Sequence, residues 1–130
     1  MINFLSKYKF IFHLSNILLI FIYLFPGSIF GCILYNDCFI QPQLTPDFLI
    51  SSNHLYAFLI LTIIGIYTFK NSQYLNSLKI YLIFMSICLE VSHLIIPNRS
   101  FEFPDLFGNL VGVMIIIIIN FFLDYEKFKN

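Results

Sequence analysis

The chain has 130 residues, of which 59% are hydrophobic and 11% are charged, and its formal net charge is zero. A soluble domain carries roughly 25% charged residues, so this chain has too little polar surface to fold as a water-soluble globule. The composition therefore predicts an integral membrane protein, and the zero net charge gives no reason to expect a nucleic-acid partner.

Apolar runs long enough to cross a hydrocarbon core predict an all-α integral membrane protein with four transmembrane helices. The predicted spans lie at about residues 10–30, 48–69, 78–96 and 106–123. No repeat, linker or shift in composition divides the chain, so a single domain covering residues 1–130 is expected.

Proline and glycine mark the ends of the first two predicted spans. Pro26 and Gly27 are expected to kink the end of the first span. Thr45, Pro46 and Asp47 predict the start of the second helix. Threonine is a good N-cap, proline suits the first helical position, and aspartate interacts favourably with the helix dipole.

The lysines predict the orientation of the protein. All six flank the N-terminus, the loop between the second and third spans, or the C-terminus: Lys7, Lys9, Lys70, Lys79, Lys127 and Lys129. These three places lie on one side of a four-span protein, and the positive-inside rule makes that side cytoplasmic. Both termini are therefore expected in the cytoplasm, and the single arginine, Arg99, is expected on the outside.

Polar residues recur at helical spacing in the outer halves of three predicted spans. They are Asp47, Ser51 and His54 in the second span, Ser86, Glu90 and His93 in the third, and Asp105, Asn109 and Gly112 in the fourth. Residues at i, i+4 and i+7 share one helix face, so together with Arg99 they predict one polar cleft open to the outside. Ionisable groups within a membrane are costly and usually functional.

The candidate roles follow from side-chain chemistry. Glu90 and His93 are the candidate catalytic residues, as an acid or a base. Arg99 would bind an anion, because guanidinium suits phosphate or carboxylate. His54, Asp105 and Asn109 would complete the substrate-binding site.

A purely structural interpretation uses the same residues. Glu90 lies roughly 9 Å from the end of its span, and the long Arg99 side chain is expected to reach back and bridge Glu90 and Asp105. The cluster would then only hold the helices in register. A permeation pathway is less well supported, because the inner halves of the spans offer only Asn120 and the patch at residues 13–16.

A metal site built from His54, Glu90, His93 and Asp105 is chemically possible. No HExxH-like spacing supports it, so the sequence predicts no metal and no cofactor. The three cysteines form no zinc-type spacing. Cys32 and Cys38 share a loop predicted to face an oxidising compartment, which permits a disulfide, but their short separation favours separate free thiols.

The segment from Glu90 to Gly112 resembles the VanZ-like family of small bacterial membrane proteins. The matching residues are Glu90, Pro97, Arg99, Ser100, Asp105, Asn109 and Gly112, and His54 with Phe58 matches a second family block. His93 stands where the family usually has Gln, and Phe58 where it usually has Tyr. The resemblance covers about residue 51 to the end. It implies a multi-pass protein of the bacterial cytoplasmic membrane, some of whose relatives are associated with resistance to teicoplanin.

Two functions remain open. The protein either binds or modifies an anionic lipid-linked or cell-envelope headgroup, with membrane lipids as its partners, or it is a non-enzymatic membrane scaffold. Whether it is an enzyme, and its oligomeric state, are not determined by the sequence. Loss of function in Arg99→Lys at a normal protein level would exclude the scaffold.

Overall fold

The computed structural model describes the backbone of residues 2–129 and the side chains of residues 8–126. These residues form five helices and no strand: α1 (Ile2–Leu24), α2 (Ile29–Tyr35), α3 (Ser52–Phe69), α4 (Leu75–Ser92) and α5 (Phe103–Lys129). Within the described chain, α3, α4 and α5 are each long and apolar enough to cross a membrane, and α1 with α2 would give a fourth span if this bent pair is one span. The all-α prediction is confirmed.

The first predicted span, residues 10–30, is not one helix. α1 ends at Leu24, and α2 begins at Ile29 with its axis turned by 78°. Gly27, in the break, has a φ of 93°, which is strained for any residue with a side chain. Ser28 then caps α2 by accepting a hydrogen bond from the Gly31 N–H at 3.0 Å. The expected kink is therefore a complete break.

The second helix starts at Ser52, not at the predicted residue 45. Residues 36–51 instead form an irregular segment over the start of α3. Asp47 accepts a hydrogen bond from the Ser52 N–H at 2.7 Å, so it satisfies a first-turn donor from outside the helix. The Asn53 side chain donates to the Pro42 carbonyl at 2.7 Å. The polar first turn of α3 thus makes hydrogen bonds to the irregular segment. These bonds replace some of those that the segment would make internally if it were a helix. The predicted third and fourth spans start at residues 78 and 106, and the observed helices start slightly earlier, α4 at residue 75 and α5 at residue 103.

Two glycines bring α5 against α3. A Cβ atom on Gly108 would lie 2.6 Å from the carbonyl oxygen of Ser51, and one on Gly112 would lie 2.5 Å from that of Leu55. Only glycine permits this approach of two backbones. The GxxxG spacing therefore serves helix packing, and it fixes the first turns of α3 beside the start of α5.

The core lies between α3, α4 and α5, with α1 packed alongside. Phe58, Leu82 and Val113 are fully buried there. The long apolar side chains that point away from this core are exposed over most of the helix surface, as expected where the surroundings are hydrocarbon rather than water.

The helix ends separate into two groups. The Thr68 hydroxyl donates to the Tyr8 carbonyl at 3.4 Å, so the end of α3 lies beside the start of the described part of α1. Lys70 and Asp124 line one hollow at this same end. The opposite end, called the polar end below, contains the end of α1, the start of α3, the end of α4 and the start of α5. The side chains of Lys7, Lys127 and Lys129 lie outside the described residues.

Candidate functional site

The polar end brings together side chains from three helices. The five residues called the polar cluster are His54 from α3, Glu90 and His93 from the end of α4, and Asp105 and Asn109 from α5. All except Asp105 are buried, and Asp105 is partly exposed. The helical spacing of each stripe places its members on one face, and the close approach of α3 and α5 makes these faces converge. Asp47, predicted to share the face of His54, lies before α3 and is not part of the cluster.

Glu90 is at the centre of the cluster and has no solvent exposure. One carboxylate oxygen, Oε1, accepts a hydrogen bond from the backbone N–H of Glu102 at 3.1 Å. The other, Oε2, lies 3.3 Å from His93 Nδ1 and 3.7 Å from His54 Nδ1. Oε2 has no hydrogen-bond partner among the described residues. A buried carboxylate oxygen without a donor is costly, so this position is chemically unusual.

His54 lies between two acids. Its Nδ1 is 3.7 Å from Glu90 Oε2, and its Nε2 is 3.7 Å from Asp105 Oδ2. The side chain is 5% exposed, and Nδ1, like Glu90 Oε2, has no hydrogen-bond partner within the described chain. One histidine therefore links the buried Glu90 to Asp105 at the edge of the cluster.

A chain of hydrogen bonds through Asn109, a member of the cluster, connects three helices. The Tyr23 hydroxyl donates to Asn109 Oδ1 at 2.6 Å, and Asn109 Nδ2 donates to the Ser86 carbonyl at 3.1 Å. The Tyr23 ring also stacks on His93, with centroids 5.7 Å apart, and the Tyr23 carbonyl lies 3.1 Å from His93 Nε2. The sequence interpretation did not include Tyr23. The available signal was a single phenol in the apolar run at residues 17–25.

Arg99 does not bridge Glu90 and Asp105, so that expectation is wrong. No ion pair joins it to either acid among the described residues. Its Nη2 donates to the Ile22 carbonyl at 3.2 Å and its Nε to the Phe25 carbonyl at 3.4 Å. The last carbonyls of a helix have no partners within it, and the break after α1 places these two within reach.

The charge of Arg99 still acts on the cluster. Partial burial lowers the pKa of its guanidinium, and Tyr23, Glu90 and Asp105 oppose that shift. The side chain remains a cation, because guanidinium is protonated at any physiological pH. It therefore supplies positive potential to the cluster without a direct contact.

Two cavities meet at Arg99. A polar one of about 110 Å³ is lined by His93, Arg99, Ser100 and Asp105, among others. An apolar one of about 400 Å³ runs between α1, α2 and α3 and reaches Tyr23, His54 and Arg99. Gln41 and Ser28 also line both cavities. The irregular segment and α2 thus form the wall that covers the cluster from one side.

A disulfide holds this wall together. Cys32 and Cys38 are bonded, with Cα atoms 4.2 Å apart, so the expectation of separate free thiols is wrong. Asn36 ends α2 in the left-handed conformation, with a φ of 52°, and turns the chain back on itself. The short separation is therefore compatible with a bridge. The Cys38 carbonyl accepts a hydrogen bond from the Ser28 N–H at 2.8 Å, which anchors the turn beside the polar cavity.

The structure brings His54, Glu90, His93, Asp105 and Asn109 into one cluster and places Arg99 beside it. The contribution of α1 and α2 is the part that the sequence interpretation missed. No protein-family model, no curated protein and no solved structure matches this chain.

Proposed function

We propose that this chain is a multi-pass protein of the bacterial cytoplasmic membrane, VanZ-like in kind, that binds an anionic lipid-linked or cell-envelope headgroup in the polar cavity. In this proposal α1 and α2 together make the first of four spans, both termini are cytoplasmic, and the polar end faces outward. The lysine distribution supports that orientation. The grouping of the helix ends agrees with it, since Lys70 directly follows the end of α3 that lies opposite the polar cluster.

The observation that carries the proposal is the position of Arg99 where the two cavities meet. A lipid-linked molecule has a charged head and a long apolar tail, so its site must offer a polar and an apolar compartment side by side. The polar cavity supplies the first and the apolar cavity supplies the second. A cation at their junction would meet the phosphate that joins head to tail.

Arg99 has donors to spare for this task. A guanidinium carries five N–H donors, and the hydrogen bonds to the Ile22 and Phe25 carbonyls use two of them. These two bonds orient the planar group. The remaining donors are available to an anion, and a pre-oriented fork binds phosphate with less loss of side-chain entropy than a lysine would.

If the headgroup is also modified, Glu90 and His93 are the residues to move a proton. Their facing atoms, Oε2 and Nδ1, are 3.3 Å apart, and His93 lines the polar cavity. A proton taken up at His93 could then be shared with a fully buried carboxylate. This pairing supports general acid–base chemistry without naming the bond that reacts.

Lipid retention tests the binding proposal. Protein in phosphatidylcholine nanodiscs would be given equal amounts of short-chain phosphatidic acid and short-chain phosphatidylcholine, and native mass spectrometry would count the bound molecules. We expect wild type to retain the anionic lipid preferentially. Arg99→Gln should lose that preference, and Lys70→Gln, which removes an exposed cation at the other end, should keep it. Equal retention of both lipids by wild type would refute the proposal.

The scaffold remains the second candidate, and one observation favours it. The buried Tyr23–Asn109–Ser86 chain ties α1 to α4 and α5, and the two part-buried Arg99 bonds tie the loop between α4 and α5 to the end of α1. A scaffold would need these contacts and no ligand. The amount of Arg99→Lys protein in the membrane separates the two functions. Normal accumulation with lost lipid preference supports binding, whereas disappearance of the protein supports the scaffold.

A further inference from the structure

We infer that His54, Glu90 and Asp105 form a binding site for a divalent transition-metal ion, with Zn²⁺ the best match. Each residue offers one ligand atom, and these three atoms all lie within 4.8 Å of one another. Tetrahedral ligands at zinc distances stand about 3.3 Å apart, so small side-chain adjustments suffice. The inference is independent of headgroup binding, since a site can hold an ion without any lipid.

Two buried atoms without hydrogen-bond partners support a cation site here. His54 Nδ1 and Glu90 Oε2 are 3.7 Å apart, and neither has a hydrogen-bond partner among the described residues. Both side chains are more than nine-tenths buried, so bulk water does not compensate for the missing bonds. Buried polar atoms are nearly always satisfied. An ion between the two atoms would satisfy both at once.

His93 holds Glu90 in position beside this site. Its Nε2 lies 3.1 Å from the Tyr23 carbonyl, and its Nδ1 lies 3.3 Å from Glu90 Oε2. His93 is therefore fixed between Tyr23 and Glu90, and it is not one of the three proposed ligands.

The donor set selects the class of ion. Imidazole nitrogen with two carboxylates suits zinc and its first-row neighbours, whereas Mg²⁺ and Ca²⁺ prefer oxygen ligands alone. Asp105 lines the polar cavity, which gives the ion a path to the site and leaves room for a water ligand. No short sequence motif predicts this set of ligands, because its members come from three separate helices.

Metal binding by the purified full chain tests the inference. Detergent-solubilised protein would be stripped with EDTA, loaded with Zn²⁺ and passed through a desalting column, and its zinc content measured by mass spectrometry. We expect about one zinc per chain and a rise in the melting temperature that EDTA reverses. Co²⁺ loading should give the visible absorption of a low-coordinate site.

Matched variants locate the site. Asp105→Asn should weaken zinc binding roughly tenfold or more, and Glu102→Gln, a nearby exposed acid, should leave it unchanged. Glu90→Gln should behave like Asp105→Asn; if it does not fold, as judged by helicity and gel filtration, the partly exposed Asp105 carries the comparison. A wild-type chain that retains no zinc and does not respond to Zn²⁺ or EDTA would overturn the inference and leave a proton in this place. Equal loss in Glu102→Gln would also overturn it. Lost lipid preference in Arg99→Gln with normal zinc content would concern headgroup binding alone.

Discussion

Glu90 has two carboxylate oxygens in different surroundings. Oε1 has a backbone donor from Glu102, while Oε2 faces only imidazole nitrogens. The partner that matters most to this residue is therefore a histidine, and Arg99 contributes only at longer range. Contacts within one network are coupled energetically, and separated groups are much less so.

The coupling of Glu90 can be measured by two double-mutant cycles. One cycle combines Glu90→Gln with His93→Gln, and the other combines Glu90→Gln with Arg99→Gln. We expect a coupling free energy of about 0.5–3 kcal/mol for the contacting Glu90–His93 pair and a smaller one for Glu90–Arg99. The free energy of unfolding in mixed micelles is the quantity to compare. A larger coupling free energy for Glu90–Arg99 than for Glu90–His93 would contradict this expectation and indicate that Glu90 and Arg99 form an ion pair.

At the scale of the helices, the α3–α5 contact determines where the cluster forms. Gly108 and Gly112 let the two backbones touch, and His54 and Asp105 lie on the turns next to this contact. A Cβ atom at either glycine would meet backbone atoms of α3, which cannot rotate away as a side chain can. The position of His54 relative to Asp105 is therefore fixed by this helix pair.

Replacement of these glycines should show that rigidity. Gly112→Ala puts a Cβ 2.5 Å from the Leu55 carbonyl, and we expect it to destabilise the protein by about 1–3 kcal/mol through overpacking. Gly65→Ala is the matched control, because its nearest neighbour is the ring of Phe12, a side chain that can shift. Thermal unfolding in detergent would compare them. Equal losses in the two variants would mean that the close backbone contact is not what matters.

For the whole molecule, the proposed orientation links the Cys32–Cys38 bridge to the side on which the C-terminus lies. If the polar end faces an oxidising compartment, the Cys32–Cys38 bridge can form there, and the C-terminus lies on the other side. A reporter fused after Asn130 should then be active only in the cytoplasm. Maleimide should label only the exposed Cys88 in unfolded, unreduced protein and all three cysteines after reduction. Activity of the fusion outside the cytoplasm would refute the orientation, and labelling of Cys38 before reduction would refute the bridge.

Helix identity and the buried polar faces could be predicted from the sequence, because both repeat with the helical period. Ser86, Glu90 and His93 illustrate this, since all three are buried on one face of α4. The same period gives no information about partners that are not side chains. Arg99 binds backbone carbonyls at the end of α1, and every helix end has such carbonyls.

The irregular segment escaped prediction for a related reason. Thr45, Pro46 and Asp47 are good residues for a helix start, and Asp47 does cap α3, but it does so across a gap of several residues. The local sequence preference correctly indicated that Asp47 caps a helix, but tertiary contacts place the start of that helix further along the chain, at Ser52. Tyr23 was missed because one hydroxyl in an apolar run carries no period at all.

The apolar cavity between α1, α2 and α3 determines which lipid concentration would set the occupancy of the site. Its apolar lining includes Leu19, Ile22, Ile29, Ala57 and Ile60, side chains that are more favourably placed in hydrocarbon than in water. A tail bound there would arrive by sideways diffusion within its own leaflet. Occupancy would then follow the mole fraction of that lipid in the bilayer and not its bulk molarity. Adding inert lipid at constant total ligand would empty the site, although nothing in the aqueous phase had changed.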